Sequence, residues 1–166
     1  VQALARAKAL DVAASTDPQE AEVVVGCDSM LEISGQVVGK PADAADARER
    51  WRLMSGGTGT LHTGHFLVRT ADCAIAEWVS SATIRFGSPS QAEIEAYVAS
   101  GEPLWCAGAF TIDGLGGAFI EGIDGDPHGV VGISLPLLRR LLADLDVVWT
   151  DLWAPPPVTR TADDAH

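Results

Sequence analysis

Two long segments of β character, "TLHTGHFLVRT" (60–70) and "AIAEWVSSATIRFG" (74–87), meet near Ala71-Asp72 with almost nothing between them. A parallel partner would need a crossover connection of about a dozen residues or more, so this spacing predicts an antiparallel pair. Other segments obey the same restriction. "EVVVGC" (22–27) reads as a short buried strand, and Met30 to Ile33 with Gln36 to Val38 read as a hairpin turning at Ser34-Gly35. "AFIEGI" (118–123) reads as a further strand.

Helical patterns are interleaved with these strands. In "VQALARAKALDVAA" the residues Val1, Leu4, Lys8 and Val12 recur at helical spacing, so Lys8 shares a face with apolar side chains. Asp43 is placed to cap a helix through "AADARERWRLM", with Gly56-Gly57 closing it. Ser90 and Glu93 form a capping-box pattern before "AEIEAYVAS", which Gly101 stops. Ser134 caps a last amphipathic helix in which Leu138, Leu141, Leu142 and Leu145 form the expected buried stripe. Helices among closely connected strands predict a mixed-sheet α/β domain rather than a doubly wound parallel sheet. Residues 1–150 read as one domain. The tail "APPPVTRTADDAH" (154–166) has too little apolar content to pack and reads as flexible.

The bulk properties exclude several roles. A formal charge of -12, with only eleven Lys and Arg in 166 residues, argues against a protein that tracks nucleic-acid phosphates. No apolar run approaches the roughly 18 to 20 residues of a membrane-spanning helix, and no segment resembles a signal peptide. Cys27, Cys73 and Cys106 are odd in number and lack C-x-x-C spacing, which fits a reduced, cytoplasmic setting. The chain has no initiator Met and begins inside a helical pattern, so residues before Val1 are expected.

Several residues have the chemistry of a site, each with an ordinary alternative. Asp28 stands where the apolar run "EVVVGC" stops, and strand ends in α/β sheets are where ligand crevices open. A carboxylate there can ligate a hard divalent cation, take a proton from water, or cap its own turn. Lys40, in Gly39-Lys40-Pro41, offers an ammonium on a short loop for phosphate oxygens, or is a solvated loop lysine. Lys8 either reaches such a site or lays its stem on the core and snorkels. "TIDGLGG" (111–117) is no P-loop, and Asp113 within it is either an acceptor that reads a substrate or a turn residue. His62, His65, His128 and His166 show no metal-ligand spacing and with Cys106 form no nucleophile pair.

Taken in order, "ARAKA", "VVGCDSML", "VVGKPADAADAR", "LMSG", "TGTLHTG", "EIEAYVASGEP", "CAGAFTIDGLGG" and "IDGDPHGVVGISLPLL" closely resemble the Maf (septum-formation-inhibitor) family of nucleoside triphosphate pyrophosphatases, over roughly residues 3 to 146. The resemblance implies a Maf/ITPase-like mixed β-sheet flanked by helices, with two lobes around a central cleft. It implies hydrolysis of a nucleoside triphosphate between its α and β phosphates, giving the monophosphate and pyrophosphate, with Mg²⁺ or Mn²⁺. By position, Asp28 matches the family's catalytic aspartate, which activates water or holds the metal. Lys40 and Lys8 match lysines that face phosphate oxygens. Ser29 and Asp113 fall where substrate preference registers. A homodimer is also implied, and no nucleic-acid or membrane partner.

The departures define what else is expected. The family opens with a strand and a Ser/Arg loop of the type S-x-S-x-R, and carries an acidic residue upstream of the early-helix lysine. Neither stands in this sequence, so either the chain is a fragment lacking that loop or part of the phosphate site is absent. Gly59 and Gly129 replace a usual His and Asn, so His62 and His128 inherit no role. "CAGAF" with "IDG" leans, through Cys106, Phe110 and Asp113, toward relatives that act on 7-methyl-GTP, while Ile112 leans toward those preferring pyrimidine triphosphates. A second class stays open, a nucleotide-binding regulator of cell division with weak or no catalysis.

Overall fold

The computed structural model describes residues 1–19 and 22–153, so the expectation for the tail 154–166 lies outside the described residues. Five strands form one sheet in the order β2-β1-β3-β4-β5. They are β1 (Val23–Ile33), β2 (Gln36–Val38), β3 (Thr58–Arg69), β4 (Ile75–Phe86) and β5 (Ile120–Asp124). The α/β class and the flanking helices are as expected. Strand directions differ from the expected mixed sheet, since all four pairings among the described residues are antiparallel. The cause is topological. The helical crossover after β2 returns the chain parallel to β2, but β1 lies between β2 and β3, and the remaining neighbours fold back on each other.

Segments expected as two separate strands form a single one. β1 runs without a break through Asp28-Ser29, with Cys27 opposite His65, Asp28 opposite Gly64 and Ser29 opposite Thr63. Asp28 therefore sits within a strand, not at its end. Because β2 pairs only with Leu31 to Ile33, the preceding part of β1 lies at the edge of the sheet among the described strands.

Helix α1 (Gln2–Ala13) covers one face of the sheet, packing Ala5 and Ala9 against Val24, Phe66 and Val68. Its expected apolar stripe is corrected: Leu4 and Val12 are 46% and 52% exposed, whereas Ala5 and Ala9 are buried. Small residues win this interface because Gly26 lies directly beneath. A Cβ there would stand 2.8 Å from Ala9 Cβ and closer still to Ala5 O. The helix thus approaches the sheet at backbone range.

The opposite face carries the larger core. Helix α2 (Ala44–Met54), capped by Asp43 as predicted, and helix α3 (Gln91–Ala99), with the complete Ser90/Glu93 capping box, pack together there. Trp51 is fully buried, donates from Nε1 to Ala109 O at 2.8 Å, and meets Phe86, Tyr97 and Phe119 edge-on at 5.5–6.1 Å. It ties α2, β4 and α3 to the turn at 107–109. At the other end of this face lie the short helix α4 (Pro127–Val131) and helix α5 (Leu135–Asp144), capped by Ser134. The α5 stripe differs by one residue from expectation, with Leu137 buried beside Leu141, Leu142 and Leu145 while Leu138 is half-buried. Among the described residues no helix is long and apolar enough to cross a membrane.

Candidate functional site

A cavity of about 460 Å³ opens beside the free edge of β1. Lys8, Asp28, Ser29 and Lys40 line it, together with residues of the 105–111 segment and of α4. Four candidates from three separate segments are thus brought to one cleft. Asp113 is exposed and does not line it; its Oδ1 accepts a hydrogen bond from the hydroxyl of Thr111, which does.

The close packing of α1 sets the first contact. Gly64, opposite Asp28, is likewise covered by helix backbone, since a Cβ there would lie 2.9 Å from Val1 C and 3.0 Å from Gln2 N. Held this near, α1 lets Lys8 Nζ donate to Asp28 Oδ1 at 2.6 Å and to the edge carbonyl of Cys27 at 3.1 Å. The Asp28 side chain is 14% exposed and that of Lys8 57%. Among the described residues Asp28 Oδ2 is buried and has no hydrogen-bond partner. An orphaned carboxylate oxygen costs on the order of 1–3 kcal/mol, so its persistence in a residue that lines a cavity points to a ligand or a proton donor from beyond the described residues.

Ser29 is held differently. Thr63 Oγ1 donates its proton to Gly129 O at 2.8 Å, so the 2.8 Å contact between Ser29 and Thr63 must use the Ser29 proton. The Ser29 oxygen therefore meets the cleft as an acceptor. Thr63 itself escaped the sequence reading, being 34 residues from Ser29 and 66 from Gly129.

Lys40 is exposed on a loop that is itself gripped. Arg50 Nη1 donates to Gly39 O at 2.6 Å and Nη2 to Lys40 O at 3.4 Å, while Asp46, one helical turn earlier on α2, accepts from Arg50 and from Ala42 N. Arg50's bonds hold the Asp46 carboxyl below its usual range, with the Ala42 N–H assisting. The Asp46/Arg50 spacing is the one signal in the sequence that could have revealed this clamp.

The thiols at the cleft are not nucleophiles at neutral pH. Burial pushes Cys27 up to about 11 against the lowering effect of Lys8, and burial with the nearby Glu102 charge raises Cys106. His62 bridges Ser81 and Glu32 across neighbouring strands, and His128 contacts Asp126, so both act locally. His65 is fully buried and accepts at Nε2 from Ser134 N at 2.8 Å, which leaves its proton on Nδ1 for Thr63 O at 3.0 Å. His166 lies outside the described residues.

No group of three or more His, Cys, Asp or Glu able to cage a metal occurs among the described residues. The donor set suits a cation that arrives with other ligands, because a single carboxylate oxygen plus substrate phosphates is a common way of holding Mg²⁺.

Comparison with known proteins identifies the family of the chain. The chain is 56% identical over 153 residues to a nucleoside triphosphate pyrophosphatase of Streptomyces coelicolor and equally to one of Streptomyces avermitilis, covering 92% of this chain and 74% of each relative. A protein of the same name from Salinispora tropica is 56% identical over 153 residues, 91% of this chain and 68% of the relative. The family model described as Maf-like protein matches residues 1–145, and the chain belongs to that family.

Proposed function

We propose that this chain is a nucleoside triphosphate pyrophosphatase, a hydrolase acting on acid anhydrides. Relatives bearing that name at 56% identity support the reaction class. The observation that carries the assignment of residues is Asp28, which lines the cleft: one oxygen is fixed by Lys8 and the other is buried and unpartnered among the described residues.

In this reading water adds to the α-phosphorus while the bond from that phosphorus to the α–β bridging oxygen breaks. Pyrophosphate leaves with the bonding electrons, and the nucleoside monophosphate remains. Asp28 Oδ2 takes the proton of the attacking water. Lys8 holds the carboxylate in position through Oδ1 and presents positive charge to the phosphates. Lys40, on its clamped loop, binds phosphate oxygens, and Ser29 contacts the remainder of the nucleotide, whereas Asp113, which does not line the cleft, acts through Thr111. Such chemistry depends mainly on placement and charge neutralisation. In the alternative role for the same oxygen, Asp28 would hold a divalent cation, Mg²⁺ or Mn²⁺, together with the substrate's phosphate oxygens, and the cation would supply further charge neutralisation there.

Pyrophosphate release from a panel of canonical and modified triphosphates, with Mg²⁺ or Mn²⁺, tests the proposal. Asp28→Asn should lower turnover by about 10²-fold or more. Unchanged turnover in that variant would remove Asp28 from catalysis. Tight nucleotide binding without turnover in the unaltered chain would favour a nucleotide-binding regulator instead.

A further inference from the structure

Trp105 is 76% exposed, in contrast to the fully buried Trp51, yet it stands on the wall of the same cleft as Asp28 and the two lysines. The sequence reading gave it no role. An isolated exposed indole is unremarkable on a protein surface, but this one sits on a rigid mount.

The mount is a single 3-10 turn, Glu102–Trp105, with Pro103 fully buried. The Glu102 carboxylate accepts three hydrogen bonds: Tyr97 Oη and Gly116 N on Oε1, Leu115 N on Oε2, each at 2.9 Å. These N–H and O–H donors outweigh the effect of burial and hold Glu102 below its usual range, so the anchor stays ionised at neutral pH. Gly114 and Gly116 allow the approach, since a Cβ on either would collide with Glu102 or Tyr97. The glycine-dense segment thus serves as the socket that fixes the turn carrying Trp105.

The cleft lining combines charged and aromatic side chains. Lys8, Lys40 and Asp28 supply the charge, whereas Trp105 supplies exposed flat apolar surface. A nucleoside triphosphate combines the same two features, and its one large planar group is the base.

We infer that the Trp105 indole stacks on the nucleobase of the bound triphosphate. This rests on the nucleotide reading above and extends it to a residue that contacts the base. Stacking on an aromatic side chain tolerates every base, because each has a π face, and it contributes to binding without touching the scissile anhydride. Trp105 therefore sets affinity for nucleotides as a class, leaving hydrogen bonding to choose among them.

The test is affinity for α,β-methylene nucleoside triphosphates of purine and pyrimidine type, which resist cleavage, alongside inorganic tripolyphosphate, which has phosphates and no base. Trp105→Ala should weaken the nucleotide analogues by about 10- to 100-fold, and Trp105→Phe should restore most of that loss. Tripolyphosphate affinity should move by less than about twofold in either variant. Because the side chain is exposed, both variants should melt like the parent. Unchanged nucleotide affinity in Trp105→Ala, or an equal loss for tripolyphosphate, overturns the stacking role while the pyrophosphatase reading stands on the Asp28→Asn result. A parent chain that binds tripolyphosphate and binds no nucleotide analogue more tightly also overturns it. Failure of the parent to bind any triphosphate removes both.

Discussion

At the scale of single residues, the two lysines of the cleft are not equivalent. Lys8 is committed to Asp28 at 2.6 Å, whereas no ion pair among the described residues involves Lys40. In a chain of net charge -12, an exposed ammonium at a cleft mouth chiefly offsets repulsion of an incoming polyanion. Lys40→Met should therefore raise KM by roughly 10-fold or more with kcat little changed, and should flatten the rise of KM with salt. Lys8→Met removes the partner that orients Asp28, so kcat should fall by about 10-fold or more. Steady-state kinetics at two ionic strengths separate these outcomes; a matching KM effect in both variants would show that the lysines share one role. Asp28 and Lys40 were legible as candidates because their chemistry is unusual beside apolar runs. Thr63 and Arg50 were not, because a threonine in a strand and an arginine on a helix face look ordinary until the fold brings Ser29 and Gly39 to them.

Among the elements, α1 and β1 show where apolar size misleads. Leu4 and Val12 look like the buried stripe of α1, but a leucine against Gly26 would push the helix out of reach of Asp28. Ala5 and Ala9 are the residues that permit contact, and their partner lies on another element, so helical periodicity alone does not reveal them. β1 misled in the opposite sense. Asp28-Ser29 interrupts an apolar run and reads as a strand end, yet Lys8 holds one oxygen of Asp28, Thr63 accepts the Ser29 proton, and the strand continues. Capping chemistry, by contrast, was legible for α2, α3 and α5, since Asp43, Ser90 and Ser134 act on backbone groups within three residues. Gly26→Ala tests the interface. The added methyl would overlap Ala5 O and Ala9, so the variant should lose about 1–3 kcal/mol in chemical denaturation, and kcat should fall with it because Lys8 is displaced. Stability lost without any loss of turnover would show that α1 does not set the Lys8–Asp28 geometry.

For the whole molecule, the cleft wall at Val130 to Gly132 depends on α4 and the start of α5 staying docked on the sheet, and His65 makes one of the polar ties that hold them there. Its Nε2 accepts from the Ser134 backbone, so a second proton on the ring would turn that bond into a donor facing a donor. Burial lowers the His65 pKa from its ordinary 6.5, outweighing the opposing pull of the Thr63 carbonyl and the Asp126 charge. The unfolded chain therefore takes up this proton at a higher pH than the folded one. The stability tied to neutral His65 is fully present above about pH 6.5 and is lost as pH falls from there toward the lower folded value. The melting temperature should drop as pH falls below about 6.5, and His65→Gln, whose amide can accept from Ser134 and donate to Thr63 without titrating, should lose much of that slope. His62 and His128 remain in both proteins, so the difference between the two profiles isolates His65. Parallel profiles would mean that another group governs acid lability, and that the docking of α4 and α5 is insensitive to the charge of the ring beneath them.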